Sequence, residues 1–544
     1  MGDIAFPGVN FWLNYVMSSL CRRKKLQESL YAILCMANVI SHTQRHERKL
    51  AMKRANELDI SEKLIRNNEN IWNLCVIDNI DFQEKTFGYN NIFDVTRRTT
   101  HSTLRMVFQF KLPHPLSTIS SNSDLVLGHS FHVGMSTFTE KEIEHFENTF
   151  SLLWNLYGRD FDVAQVQEEL WKNVEIGMYY DDIGLDSTGH LDLASDESIF
   201  RKLNKLNESE TEISLLLGAW HTSKAMCGTL LTIFSGYGIY NLAANLGVSY
   251  LEKLEKVVDY SATCRVIEHI WIGVGVSLHL YARKKNISMK DILDCDYYLP
   301  KIWYLFFLWA GLWLGHKTGI RYGNHDLQFQ NLCAFAPLFP IAGKSNYSQS
   351  VTQYIYNVQK DSNLQGILQY VSSVNLTSPG HYFAFDEALE RFGVMYIKQN
   401  IGSAIYSTDN LDLQIKSIQA ECDHLDLLLS EFVGDKIKTP TKCNIKSQKD
   451  ALWKLITDLE KAFEHSNKSI LTPEVPELFK GAIECSNQGF QKLYNSYDIG
   501  INRSNDIFKQ DIERSVVWDT TGKNNNECEY KDEYKKYTGE CKTQ

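Results

Sequence analysis

The sequence predicts an α/β protein in which a mixed β-sheet is combined with large helical regions. Short apolar and β-branched runs, typical of buried strands, occur in the first half of the 544-residue chain. Between and after these runs, apolar residues recur with helical spacing. Strands that alternate with helices indicate a sheet covered by helices on its faces. We therefore expect a sheet core that is extended by helical segments.

The length and composition indicate several structural regions. A chain of 544 residues exceeds the usual size of one hydrophobic core, and 44% of its residues are hydrophobic. The 12 cysteines form no CxxC pairs followed by a histidine pair, so no zinc finger is predicted. We interpret them as reduced thiols, typical of the nucleus or cytoplasm. The first 20 residues lack a signal-peptide pattern, so secretion is not expected.

The charge limits where nucleic acid could bind. A net charge of −10 argues against a surface that is basic throughout, because affinity for phosphate comes from clustered Lys and Arg. DNA is therefore a possible partner only at a local surface. The candidate is the basic helical N-terminal region, residues 1–66, although a solvated helix face explains its cations equally well. They are Arg22, Arg23, Lys24, Lys25, Arg45, Arg48, Lys49, Lys53 and Arg54.

The first predicted strands precede a helix. A buried strand is predicted over Ile71–Asp78, and the alternation over Thr103–Phe110 predicts a second one. Pro113 and Pro115 follow that second strand and close it. A helix is predicted over Thr139–Tyr157, with Thr139 as a candidate N-cap residue.

The next elements complete a recognisable order. A strand is predicted over His190–Asp196, a helix over Glu197–Leu206 and a further strand over Glu212–Gly218. Two or more strands, a helix, a strand ending at an aspartate, a helix and another strand is the order of a ribonuclease-H-like α/β fold. We assign residues 67–221 to the first part of such a core.

The remainder of the chain is predicted to be mainly helical. Residues 222–375 form a helical insertion, and residues 376–405 contain a helix that carries a third acid and completes the core. The most apolar run, Ile302–Gly315, is shorter than the roughly 20 residues that a bilayer requires. It therefore predicts a buried helix and no membrane span. Residues 406–515 are predicted to be a helical C-terminal region, and residues 516–544 a disordered tail.

Three acidic positions point to metal-dependent chemistry. Asp78 and Asp196 each stand at the end of a predicted strand, and carboxylates at neighbouring strand ends can share a metal ion. The third acid is Glu390 or Asp386 on the later helix. Two strand-end aspartates followed by an acid on a helix is the order found in nucleases and transposases that use two metals for phosphoryl transfer. The pattern predicts Mg²⁺, or Mn²⁺, as the cofactor.

Each acid also has a structural interpretation. Asp81 competes with Asp78 for the metal-ligand role, and Asp196 is equally well placed to be the N-cap of the helix after it. At about 100° per residue, Asp386 points roughly 115° and Glu390 roughly 155° from the centre of the apolar stripe. A solvated helix face therefore remains the alternative for the third acid.

One further segment has a candidate functional histidine. Gly218–Lys224 follows a predicted strand and contains Trp220 and His221. A histidine there could organise a phosphate or an acid, and a tryptophan could stack on a base, although packing explains the pair as well. Gly343-Lys344-Ser345 lacks the upstream glycine and preceding strand of a P-loop, so ATP binding is not predicted. No G-x-S-x-G pattern supports a hydrolase triad.

Five segments within roughly residues 70–400 resemble a known family. In this order they resemble motifs of the domain of unknown function 6589 family, which occurs in eukaryotes and looks derived from DNA transposons. The segments are Asp78-Asn79-Ile80-Asp81, Ser195-Asp196-Glu197-Ser198-Ile199-Phe200, Leu216-Leu217-Gly218-Ala219-Trp220-His221, Gly343-Lys344-Ser345-Asn346-Tyr347 and Phe385-Asp386-Glu387-Ala388-Leu389-Glu390.

The resemblance implies a function. It makes Asp78, Asp196 and Glu390 the counterparts of a transposase acidic triad that binds metal. His221 then belongs to a strand-then-histidine motif similar to that of hAT-type transposases. The implied activity is cleavage or strand transfer at DNA phosphodiesters with two divalent metals. Ser195 replaces the glycine common in animal relatives, and no zinc-finger or helix-turn-helix signature precedes the core. The alternative is therefore a catalytically inactive protein that binds nucleic acid or another protein.

Overall fold

The structure, a computed structural model, is mostly helical with a small mixed sheet. It describes residues 70–83, 99–116, 131–174, 192–207, 214–375, 382–394, 442–464 and 476–513. The basic region 1–66 and the predicted tail 516–544 lie outside these residues, as does most of the predicted C-terminal helical region before residue 442. An α/β class is therefore correct in general form.

The described strands and helices follow one another along the chain. The strands are β1 (Ile71–Gln83), β2 (Thr99–Lys111), β3 (Asp192–Ser195), β4 (Leu215–Leu217), β5 (Val374–Asn375) and β6 (Tyr382–Phe383). The α-helices are α1 (Thr137–Tyr157), α2 (Val163–Trp171), α3 (Glu197–Asn207), α4 (Ala219–Phe234), α5 (Ile239–Asn245), α6 (Leu251–Glu255), α7 (Tyr260–Lys285), α8 (Tyr298–Tyr322), α9 (His325–Phe335), α10 (Leu338–Ile341), α11 (Ser345–Lys360), α12 (Ser362–Tyr370), α13 (Phe385–Ala388), α14 (Lys442–Glu464) and α15 (Asn487–Ile507).

Shorter helical turns connect several of these helices. The 3₁₀ turns are Ser235–Tyr237, Lys290–Asp294 and Glu477–Phe479, and the π-helical turns are Leu389–Val394 and Phe508–Glu513.

The main sheet has the strand order β2-β1-β3-β4. β1 is antiparallel to β2, whereas β1, β3 and β4 are parallel to one another. The predicted end of the first strand at Asp78 is wrong, because β1 continues to Gln83. It stays paired with β2 along its whole length, from Ile71 opposite Lys111 to Gln83 opposite Thr99.

The parallel pairing of β1 with β3 ends earlier along β1 than its antiparallel pairing with β2. The last pair between β1 and β3 is Ile77 with Ser195, so Asp78 is the next residue of β1 and Asp196 is the first residue after β3. The prediction that the two aspartates end adjacent strands of one sheet is confirmed in part, because β1 and β3 are adjacent and Asp196 follows β3 directly, but Asp78 lies within β1. β3 and β4 are short and largely buried, which agrees with their apolar sequences.

The first helix has a different cap from the predicted one. α1 begins at Thr137, and Ser136 is its N-cap residue. The Ser136 hydroxyl accepts a hydrogen bond from the Thr139 amide at 3.4 Å, and the Thr139 hydroxyl accepts one from the Ser136 amide at 2.9 Å. Thr139 is therefore the third helical residue of a reciprocal capping box, which the sequence pattern alone did not place.

The predicted buried helix Ile302–Gly315 is confirmed within α8. Trp303, Trp309 and Trp313 are all at most 4% exposed. Helices α4, α7 and α9 pack against α8, which explains why its sequence is apolar on every side. Among the helices in the described ranges, none is long and apolar enough to cross a membrane.

Trp271 of α7 lies at the centre of the helical packing. Its ring stacks on Phe307 at 5.2 Å and meets Phe146 edge-on at 5.3 Å. The indole nitrogen donates a hydrogen bond to the Phe307 carbonyl oxygen at 2.9 Å. Helices α1, α7 and α8 therefore share this one side chain.

Replacing Trp271 by alanine should lower the free energy of unfolding by about 3–5 kcal/mol, because a large buried aromatic side chain is lost. Trp271→Phe should lose less, since it keeps part of the ring packing. Urea unfolding followed by circular dichroism measures both. Tyr250→Ala is the control, because that ring is 70% exposed, and its effect should stay small. An equal effect at the two positions would contradict the packing role.

Candidate active site

The carboxyl ends of the parallel strands bring the predicted residues together. Ile77, Ser195 and Leu217 are aligned across β1, β3 and β4. The residues that follow them are Asp78, Asp196 and Gly218, and Gly218 leads directly into α4. This edge of the sheet is the candidate site.

The pKa of Asp78 is shifted by burial and by the other charged groups of the site. The half-buried carboxyl accepts a hydrogen bond from the Asn79 amide at 2.7 Å. Burial raises the pKa of Asp78 to about 6, and the charges of Asp196 and Glu390 act in the same direction. The charge of His221 opposes them. The other three predicted site residues therefore all act electrostatically on Asp78.

Asp196 is the N-cap residue of α3 as well as a member of this group. Its Oδ1 accepts a hydrogen bond from the Ile199 amide at 2.9 Å, so the structural interpretation of Asp196 is correct. That bond does not exclude a second role, because the charge of Asp196 also acts on Asp78 and on His221. The side chain of Asp81 lies outside the described part of the structure.

The third-acid segment is not one regular helix. The short helix α13 is followed by the π-helical turn Leu389–Val394, so a spacing of about 100° per residue does not hold across it. Asp386 is 3% exposed and Glu387 is 8% exposed, which corrects the expectation of a solvated face at these two positions. They are buried because α13 packs against α4, β1 and β3. Glu390, on the π-helical turn, is half-buried.

Asp386 binds the start of α4. Its Oδ1 accepts a hydrogen bond from the Trp220 amide at 3.1 Å, and its Oδ2 accepts one from the His221 amide at 2.9 Å. The His221 ring nitrogen Nδ1 lies 2.9 Å from the same Oδ2. A carboxylate at this helix N-terminus is favoured by the helix dipole and by amides that have no partner inside the helix.

The pair of Asp386 and His221 is held in its charged form. Burial alone would raise the pKa of Asp386, but the hydrogen bond and charge of His221 hold that pKa below its usual value. Burial alone would lower the pKa of His221, yet the hydrogen bond and charge of Asp386, followed by the charges of Asp78 and Asp196, raise it. A positive charge therefore faces the predicted metal-binding acids.

Glu387 forms an ion pair with Arg321, whereas the adjacent Asp386 pairs with His221. The Glu387 carboxylate forms a 2.7 Å ion pair with Arg321 of α8. Arg321 also donates a hydrogen bond to the Tyr382 carbonyl oxygen at 3.0 Å. Glu387 is therefore a structural acid that fixes β6 and α13 on the helical region.

Trp220 has a packing role. Its ring meets His221 edge-on at 4.6 Å and Tyr260 edge-on at 5.7 Å, and the Lys224 ammonium lies 5.7 Å from the ring centre. Stacking of Trp220 on a base stays a prediction.

Helix α11 adds two residues that the sequence did not single out for a role. The Tyr347 hydroxyl donates a 3.4 Å hydrogen bond to the His221 carbonyl oxygen. Ser350 donates one of 3.0 Å to Glu197, the residue after Asp196. Tyr347 belongs to one of the five segments that carry the family resemblance, and those segments all meet at this site. Spacing along the chain could not reveal these contacts, because they join distant parts of it.

The donor atoms suit a divalent cation, but no complete ligand set is formed. Carboxylate oxygens are the ligands that Mg²⁺ and Mn²⁺ prefer. Within the ranges that the structure describes, no group of three or more His, Cys, Asp or Glu side chains is arranged to hold a metal ion. The charges of Asp196 and Glu390 act on Asp78, but the metal role of these three acids stays a prediction.

Comparison of the chain with family models, with curated proteins and with solved structures gives no match. The resemblance to the domain of unknown function 6589 family therefore rests on the five segments and remains a prediction.

The raised pKa of Asp78 predicts a pH-dependent stability. The folded protein binds the Asp78 proton more tightly than the unfolded chain, whose usual pKa is 3.8. This group's contribution to the free energy of unfolding is therefore largest below about pH 4 and falls as the pH rises towards about 6. Asp78→Asn cannot ionise, so the variant does not lose this part of the free energy of unfolding as the pH rises. At pH 7 it should be more stable than wild type by about 1 kcal/mol, after allowance for solvent around a half-buried carboxyl.

Urea unfolding of wild type and Asp78→Asn at several pH values measures this difference. The advantage of the variant should shrink as the pH falls towards 4. Asp498→Asn, at an exposed position of α15, is the matched control and should show no such trend. A difference between wild type and Asp78→Asn that is the same at every pH would contradict the prediction.

Gly218 lets Asp386 approach the strand end. A Cβ atom at Gly218 would lie 2.5 Å from Asp386 Oδ2 and 2.9 Å from the Ser195 carbonyl oxygen. Gly218→Ala should therefore lower the free energy of unfolding by about 1–3 kcal/mol. Gly228→Ala, in the same helix α4, is the control. Its Cβ would meet only ordinary contacts from 3.6 Å, so it should be neutral or stabilising by up to about 1 kcal/mol. Thermal unfolding of the two variants measures the contrast, and equal effects would refute it.

Proposed function

We propose that this chain is a transposon-derived protein with a ribonuclease-H-like core that cleaves or joins DNA phosphodiesters with divalent metal ions. The observation that carries the proposal is the electrostatic group of Asp78, Asp196, Glu390 and His221 at the carboxyl edge of the sheet. These acids come from two adjacent strands and a later helical turn, which is the predicted acidic order.

The topology of the sheet supports the proposed core. β1 is flanked on one side by its antiparallel partner β2 and on the other by the parallel strands β3 and β4. The two aspartates follow the last parallel pair of β1 and β3. This arrangement is similar to that of ribonuclease-H-like folds, in which acids on neighbouring strands face one site.

The family resemblance gives independent support. The five segments lie far apart in the sequence, yet they meet around His221, which contacts Asp386 directly and Tyr347 through its carbonyl group. Helices α4 to α12 separate β4 from α13 in the chain, where a hAT-like transposase would carry its helical insertion.

The residues at hand suit phosphoryl transfer. Asp78, Asp196 and Glu390 would hold the cations, which when bound activate a water or 3′-hydroxyl and stabilise the leaving oxygen. His221 keeps its proton because Asp386 holds the ring at Nδ1 and supplies the compensating charge. Together with bound cations, the positive charge of His221 would attract a phosphate group to the sheet edge.

A second candidate is a non-catalytic protein that keeps the fold and binds nucleic acid or another protein. One observation favours it, because the acids do not form a ligand set for a metal in the described ranges. His221 already offers a positive charge to Asp78 and Asp196. In that case the acidic group would be stable without any cation.

The decisive experiment uses purified protein and plasmid DNA. We expect nicking only with Mg²⁺ or Mn²⁺, and we expect Asp196→Asn to abolish it, because the amide loses the charge that would hold a metal. Asparagine is as good an N-cap as aspartate, so α3 should remain folded in the variant. Asp162→Asn is the matched control, since Asp162 is the N-cap of α2 and lies on a different helix.

The outcomes separate the two candidate functions. Loss of nicking in Asp196→Asn, with full nicking in Asp162→Asn and equal thermal stability, supports the catalytic proposal. Nicking that survives in Asp196→Asn removes this residue from the mechanism. No nicking by wild type on supercoiled, linear or single-stranded DNA with either metal favours the non-catalytic protein.

A further inference from the structure

A small buried cavity lies behind the candidate active site. It has a volume of about 20 Å³ and lies between the end of β4 and helix α9. Its polar lining side chains are Asp386, His325, Gln328, Ser372 and Tyr354. The cavity therefore adjoins the carboxylate that binds the start of α4.

Three of these side chains have buried polar atoms without a hydrogen-bond partner among the described residues. They are Nε2 of His325, Oε1 of Gln328 and Oγ of Ser372. The three residues are only 5%, 8% and 5% exposed. Burying a polar group without a hydrogen bond costs about 1–3 kcal/mol, so three such groups around one cavity require an explanation.

We propose that this cavity is a binding site for one structural water molecule, held by His325, Gln328 and Ser372 beside Asp386. A water needs roughly 10–15 Å³ of such space and two to four polar partners, and the cavity supplies both. Its volume leaves no room for a larger ligand.

The charges around the cavity favour water over an ion. Asp386 already accepts hydrogen bonds from two amides and pairs with His221, so its negative charge is compensated. A cation would meet no unpaired carboxylate there, and an anion would be repelled by Asp386. A neutral water donates to Gln328 Oε1 and exchanges hydrogen bonds with the hydroxyl and the imidazole.

The water would connect the helical region to the candidate site. His325 and Gln328 belong to α9, and Ser372 follows α12, whereas Asp386 fixes His221. The bound water would thus satisfy polar groups of α9 and of the segment after α12 beside Asp386, without a direct contact between their side chains. This inference does not depend on the proposed nuclease activity.

A crystal structure with well-ordered solvent tests the site directly. We expect one water peak within about 2.7–3.2 Å of at least two of the three polar atoms. An empty cavity with ordered walls would overturn the proposal. So would a peak with ligand distances of about 2.0–2.4 Å, which would indicate a metal cation.

A matched pair of serine variants tests the energetics. Ser372 and Ser373 are equally buried and both have a hydroxyl without a described partner, but only Ser372 lines the cavity. Ser372→Ala should lower the Tm by about 1–3 °C, because it removes a hydrogen bond to the water. Ser373→Ala should leave the Tm unchanged or raise it. A rise in both variants would show that neither hydroxyl binds water and would refute the proposal.

Discussion

The rest of the site depends on the buried carboxylate of Asp386 at the start of α4. A buried charge is tolerated only when hydrogen bonds and an opposite charge compensate it. Here the Trp220 and His221 amides and the His221 ring provide that compensation. Because Asp386 belongs to α13 and its partners to α4, one interaction joins residues far apart in the chain. Removal of the carboxylate would leave a buried helix terminus and an uncompensated histidine.

The backbone at the sheet edge leaves space for the Asp386 carboxylate to bind the start of α4. The Gly218 amide donates a 2.7 Å hydrogen bond to the Ser195 carbonyl oxygen, which holds the turn after β4 against the end of β3. Only a residue without a Cβ leaves space there for Asp386. Asp78 and Asp196 consequently end up beside His221, and Tyr347 supports the His221 backbone from α11. The register of β1 and β3 places the two aspartates at this edge, and the joint between α4 and α13 places His221 beside them.

The charge balance of the edge bears on both candidate functions. The charges of Asp196 and Glu390 raise the pKa of Asp78, but the charge of His221 and the Asn79 hydrogen bond lower it by at least as much, so burial is the main cause of the raised value. A bound divalent cation would act in the same direction as the charge of His221, which lowers the pKa of Asp78. A catalytic protein would use the remaining negative potential to bind metal, and a non-catalytic one would simply tolerate it. The same group of side chains is therefore consistent with a catalytic and with a non-catalytic protein. Binding of a divalent cation is expected only of the catalytic one.

Local patterns in the sequence determined the general class and the positions of several elements. The strand ending before Asp196, the helix at Glu197 and the buried helix Ile302–Gly315 follow from apolar runs, helical spacing and length, which are properties of neighbouring residues. The placement of Asp78 and Asp196 at one edge of the sheet also followed from the order of elements, because parallel strands place their carboxyl ends at one edge.

Tertiary structure alone decided the rest. β1 extends past Asp78 because β2 stays paired with it. The burial of Asp386 was not predictable from a helical wheel, since it arises from a π-helical turn and from packing against α4. The partners of His221 lie more than a hundred positions away in sequence. Contacts over such separations depend on how whole elements pack, which no local pattern encodes.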